Sequence, residues 1–148
     1  MTDYLKFYID GQWVDPIGTD TCDVINPATE QPIGKIALGN EQDVDRAVAA
    51  AKAAFDSFSQ TTKQERIELL QSIINEFQNR LGDIADAISQ EMGAPTLLAN
   101  KAQAPAGLGH FMTALAGLEN FEFEEDIDTT HISREPAGVC GMITPWNW

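Results

Sequence analysis

The sequence predicts an α/β fold, and three observations carry that prediction. Turn signals flanked by β-branched and aromatic residues crowd the first 40 positions, and apolar residues then recur at helical spacing. Near the other end Gly138-Val139-Cys140-Gly141-Met142-Ile143 reads as a buried strand with small residues. At 148 residues with 43% apolar side chains, the chain is long enough for a single domain with a core.

The first elements are hairpins. Phe7-Tyr8-Ile9 and Trp13-Val14 flank Asp10-Gly11, a dipeptide that accepts the positive φ of a tight turn. Val24-Ile25 and Ile33 to Leu38 flank a second turn marked by Asn26-Pro27.

Helices follow. Asn40 is suited to cap the first, with Glu41 and Asp43 placed against the positive end of its dipole. Val44, Ala47, Val48, Ala51, Ala54, Phe55 and Phe58 form its core-facing stripe. Thr62 with Glu65 makes a capping-box pattern for a second helix carrying Ile67, Leu70, Ile73, Ile74, Phe77 and Leu81. Gly82-Asp83 resets the chain for a third, Ile84 to about Met92, ended by Gly93 and Pro95. A fourth covers Leu97 to Leu118, and Pro105 must kink or interrupt it.

Beyond it, Phe121 to Asp126 reads as a charged loop, and Thr129 to Arg134 as a strand ending at Glu135-Pro136.

Composition excludes several classes. With 9 basic and 23 acidic side chains the formal charge is −14, which repels phosphate backbones and anionic lipid, so neither nucleic acid nor membrane is an expected partner. No apolar run approaches the roughly 20 residues of a membrane span, and Met1 to Lys6 lacks a signal pattern. Cys22 and Cys140 lack metal or redox spacing, so a reducing cytoplasmic setting is expected. His110 and His131 have no partner at ligand spacing, and Gly107-Leu108-Gly109 is too short for a phosphate loop.

The chemistry concentrates at the carboxyl end. A strand running into Thr144-Pro145-Trp146-Asn147 has the form of a crevice in an open α/β sheet, where a ligand meets loops leaving the strands. The Asn147 amide can donate to an oxygen that turns negative when a carbonyl is attacked. On chemistry alone the same corner is equally a packed turn, with asparagine bonded to its own backbone.

The run Arg134-Glu135-Pro136-Ala137-Gly138-Val139-Cys140-Gly141-Met142-Ile143-Thr144-Pro145-Trp146-Asn147-Trp148 resembles a stretch of the aldehyde dehydrogenase family. Tyr8 to Trp13, Asn26 to Glu30, Asp43 to Ala51 and Glu91 to Pro95 match further family segments in the same order, so the resemblance spans essentially the whole chain.

The resemblance implies a doubly wound cofactor-binding domain continuing only through its first sheet strand. Residues 1–128 are then its amino-terminal part, 129–136 an oligomerisation arm that pairs copies of the chain, and 137–148 the start of the dinucleotide-binding sheet. Ile143, Thr144, Pro145 and Trp146 match positions lining a site for NAD or NADP, and Asn147 matches the asparagine holding the oxygen of an aldehyde substrate. Val24 and Glu91 match positions of a monovalent cation held on backbone carbonyls.

In that family a cysteine thiolate attacks the aldehyde, hydride leaves for the nicotinamide, and a glutamate activates water to hydrolyse the thioester. The resemblance places these groups beyond Trp148, so the 148-residue chain alone is expected to be inactive. Cys140, on the presumed buried strand, reads as a small inert hydrophobe, as does Cys22.

A parallel strand needs neighbours on both sides, so the segment after Gly138 is expected to be poorly ordered or to be buried against a partner copy. A non-catalytic module that pairs with longer relatives is the alternative function. A semialdehyde-oxidising or coenzyme-A-acylating enzyme shares the same motifs.

Overall fold

A computed structural model describes residues 3–145. The mixed strand and helix composition agrees with the α/β expectation, in the order two hairpins, a set of helices, then a third hairpin. Strands β1 (Phe7–Ile9) and β2 (Gln12–Val14) pair antiparallel, with Asp10 and Gly11 both at positive φ in the turn. Strands β3 (Thr21–Asn26) and β4 (Gln31–Ala37) form the second hairpin. Asn26 organises its turn, its side-chain oxygen accepting from the Ala28 amide at 2.9 Å.

Helix α1 (Glu41–Phe58) begins where the capping residues predict. Asn40 accepts from the Asp43 amide at 3.0 Å, and the Asp43 carboxylate accepts in return from the Asn40 amide at 3.0 Å. Asp43 also accepts from the Ile17 amide at 2.8 Å and the Gly18 amide at 3.3 Å, so one buried carboxylate ties the loop before β3 to the start of α1. Helix α2 (Lys63–Asn79) starts on the predicted capping box, the Glu65 carboxylate accepting from the Thr62 amide at 2.7 Å.

Helix α3 (Leu81–Met92) starts before Ile84, because Gly82 and Asp83 are accommodated in its first turn. Gly93 ends it in the left-handed conformation, φ 74°, and a Cβ there would lie 2.7 Å from Pro27 Cγ.

The expected fourth helix is present in three pieces: α4 (Thr96–Leu98), a π-helical segment (Ala99–Gln103) and α5 (Ala104–Glu119). Pro105 accounts for the break. It has no amide to give to Lys101, and its ring crowds that carbonyl, so the wider π turn just before it takes up the mismatch. Ala85 of α3 packs with Ala94, Ala99 and Ala104, flanked by Leu81, Ile84 and Ile88. Phe77 of α2 meets Phe111 of α5 with ring centroids 5.5 Å apart. Among the described residues no helix is long and apolar enough to cross a membrane.

The stripe of α1 expected to face a core is largely exposed, with Val44 at 59% and Phe58 at 52%, and two further expectations are corrected. The stretch read as a charged loop overlaps strand β5 (Glu124–Ile127), which pairs antiparallel with β6 (Thr130–Ser133). Its carboxylates are tolerated because partners face them across the hairpin, with the Arg134 guanidinium to Glu125 at 2.6 Å and the His131 imidazole to Asp126 at 2.7 Å.

The second correction concerns Gly138 to Ile143, which form no strand and are not buried as a segment: Met142 is 89% exposed, Ile143 is 98% exposed, and Cys140 is exposed. Among the described residues they pair with none of the six strands, which form three separate two-stranded sheets.

Candidate functional site

The predicted cofactor wall lies at the end of the described chain. Ile143, Thr144 and Pro145 follow the exposed segment without secondary structure, and Ile143 packs against almost nothing. Trp146 and Asn147, the remaining predicted site residues, lie outside the described residues. The backbone here belongs to no sheet or helix, and Pro145 fixes its own φ at about −65°.

Val24 and Glu91, far apart in sequence, come together. β3 carries Val24, and the last turn of α3 carries Glu91. Both line a cavity of about 350 Å³ shared with Tyr4, Asp83, Asp86 and Gln90. The Gly93 cap and its contact with Pro27 hold α3 against this hairpin. Among the described residues no group of three or more His, Cys, Asp or Glu side chains is arranged to hold a metal ion. A cation here would therefore depend on backbone carbonyls.

The segment 129–136, predicted as an arm, contains β6 and the residues after it, and β6 forms a hairpin with β5. On one face the His131 imidazole sits between Glu124 (Nε2 to Oε2, 2.6 Å) and Asp126 (Nδ1 to Oδ1, 2.7 Å). The hydrogen bonds that the imidazole donates to the Asp126 and Glu124 carboxylates raise its pKa above the ordinary value of 6.5, since both stabilise the imidazolium. Arg134 anchors the hairpin's exit, its amide donating to the Phe123 carbonyl at 2.9 Å and its guanidinium to the Glu122 carbonyl at 3.2 Å.

Sequence reasoning missed the surroundings of Arg134. A cavity of about 500 Å³ opens between the start of α2 and the segments on either side of the hairpin, and Lys63, Arg66 and Arg134 line it with Phe121 and Phe123. The visible signal was the pair Lys63 and Arg66, one helical turn apart in an acidic chain.

Residues 13–148 match the profile of the aldehyde dehydrogenase family. The chain belongs to this family. As an aldehyde dehydrogenase family member it is 57% identical over 149 aligned residues to a 3-succinoylsemialdehyde-pyridine dehydrogenase of a Pseudomonas species, covering 100% of this chain and 31% of the relative. It is 47% identical to a putative aldehyde dehydrogenase of Staphylococcus aureus strain USA300, with the same two coverages.

Among solved structures, a mutant aldehyde dehydrogenase C of Pseudomonas syringae, complexed with NAD+ and octanal, superposes with TM-score 0.93 at 43% identity. That match covers 97% of this chain and 30% of the other. A Mycobacterium tuberculosis aldehyde dehydrogenase complexed with NAD+ gives TM-score 0.84 at 28% identity, covering 91% of this chain and 29% of the other. The chain spans about a third of the length of the curated relatives it matches.

Proposed function

We propose that these residues form the amino-terminal part of an enzyme that oxidises an aldehyde to a carboxylate with NAD or NADP, through a cysteine thioester. The observation that supports this reading is the 57% identity, along the whole chain, to a relative named for dehydrogenation of a semialdehyde. A semialdehyde carried on an aromatic ring is accordingly the first substrate to test.

In this reading residues 1–128 belong to the cofactor-binding domain, 129–136 form an arm joining copies of the protein, and 137–148 begin the dinucleotide-binding sheet. The bound nicotinamide would supply a hydride acceptor. Ile143, Thr144, Pro145 and Trp146 would line its site, with Pro145 fixing the direction of the turn. Asn147 would donate its amide to the substrate oxygen, which is useful because that oxygen gains charge when the carbonyl is attacked. Val24 and Glu91 would direct carbonyls at a monovalent cation. A cytoplasmic location suits the exposed thiols of Cys22 and Cys140.

The 148 residues by themselves would turn over no aldehyde. Incubating the purified chain with NAD+ and an aromatic semialdehyde, and following NADH absorbance, tests this. A rate abolished by a thiol-alkylating reagent would overturn it. In a polypeptide of the relatives' length, the Asn147→Ala change is expected to lower kcat roughly 100-fold or more while leaving NAD+ affinity unchanged. Loss of NAD+ binding with kcat preserved would remove Asn147 from the oxyanion role.

The second reading, a non-catalytic module, has the exposed edges of the β5–β6 hairpin in its favour, because an unpaired edge accepts another strand. Co-purification with a longer relative, but no activity in any context, would favour it.

A further inference from the structure

The cavity beside Arg134 holds cations that lack counter-ions. Lys63 and Arg66 are both half-buried, and neither has a carboxylate oxygen within 4.0 Å among the described residues. The chain carries 23 acidic and 9 basic side chains, so unpaired cations are unusual in its composition. Their like charges stand one turn apart on one helix face, which is unfavourable until an anion sits between them.

The Lys63 ammonium donates to the Phe121 carbonyl at 3.0 Å, and the Arg66 guanidinium to Thr61 Oγ1 at 2.9 Å and more weakly to the Phe58 carbonyl at 3.5 Å. Each keeps donors unused. Facing them, the Phe121 and Phe123 rings meet edge to face with centroids 4.9 Å apart and form an apolar wall. Arg134 closes the third side, neutralised by Glu125 and stacked 5.8 Å from the Phe121 ring.

We propose that this pocket binds a small organic carboxylate, its carboxylate between Lys63 and Arg66 and its apolar body against Phe121 and Phe123. The guanidinium fork matches a planar carboxylate. A single negative charge suits the site better than two, because Glu135 also lines it. The phenylalanine wall gives no advantage to a bare inorganic anion. Ile143, Thr144 and Pro145 do not line the pocket, and the inference does not rest on the aldehyde-oxidising reading.

Titration of the full chain with benzoate, followed by amide chemical shifts, tests the proposal. Saturable shifts around residues 59–66 and 121–136 are expected. Benzamide, of the same shape without charge, and inorganic phosphate, charged without an apolar body, should each bind roughly tenfold or more weakly. The Lys63→Gln, Arg66→Gln double variant should lose a similar factor.

Absence of saturation, equal binding of benzamide or phosphate, or indifference to the double variant would each overturn the proposal. Should circular dichroism show that the double variant is unfolded, Lys63→Gln alone decides, since Lys63 makes a single bond to the rest of the chain. A loss of at least about threefold supports the site, and no loss overturns it.

Discussion

Two titratable side chains show how single residues hold this chain together, and they respond to pH in opposite directions. The backbone amides of Ile17 and Asn40 hold the Asp43 carboxyl below its ordinary value of 3.8, with further help from Gly18 and Arg46. A depressed folded-state pKa contributes stability above the unfolded value, and that contribution disappears as pH falls through the folded value. Asp43→Asn should therefore lower the urea midpoint at neutral pH. The difference from the unsubstituted chain should shrink on acidification below 3.8, and a difference independent of pH would contradict this account.

His131 behaves in the reverse sense. Its pKa is raised above 6.5, so its contribution is fully present below 6.5 and is lost as pH rises through the higher folded value. Imidazole resonances should titrate above 6.5, and amide exchange in the β5–β6 hairpin should quicken across the same interval. His131→Gln should abolish that pH dependence.

At the scale of elements, caps and turns decide where each piece begins and stops, and one glycine couples two of them. Gly93 combines a left-handed backbone with a Cβ position 2.7 Å from Pro27 Cγ. Gly93→Ala should cost about 2 kcal/mol or more, from the backbone conformation and the overlap together. Chemical denaturation measures it. The α3–hairpin cavity containing Val24 and Glu91 should distort in the same variant. A neutral outcome would mean that the Asn26-Pro27 turn yields freely.

Packing explains why Gly107 is no phosphate loop. A Cβ at Gly107 would approach Phe77 Cζ to 2.8 Å, so its bareness serves the contact of α5 with α2.

The molecule as a whole is open. Its accessible surface is 11101 Å², whereas a folded monomer of 16.2 kDa exposes about 7,500 Å². Among the described residues the buried hydrophobic ones are Ile74 and four alanines, and none of the large side chains is fully buried. Large residues such as Val44, Phe58, Leu97 and Met112 each expose more than half of their surface. A chain spanning about a third of its relatives' length exposes surface of this kind if further polypeptide covers it there.

The isolated chain should accordingly bind a hydrophobic dye strongly and unfold with a shallow transition. A sharp, dye-silent transition from a monomer would show that the helices close on themselves more tightly than these contacts indicate.

Local rules made most of the elements legible. The Asp10-Gly11 and Asn26-Pro27 turns, the Asn40 and Thr62 caps and the Gly93 stop depend on residues close in sequence, so the sequence by itself determined both amino-terminal hairpins and the helix starts at Glu41 and Lys63. The family motif likewise needed only contiguous residues. Tertiary structure alone decided the rest. Glu124 to Ile127 became a strand because Arg134 and His131 face its acids from across a turn, and Gly138 to Ile143 stayed exposed because a β segment acquires order only from an adjacent edge. The meeting of Val24 with Glu91, and of Lys63 and Arg66 with Phe121, joins segments remote along the chain, where periodicity and spacing carry no information.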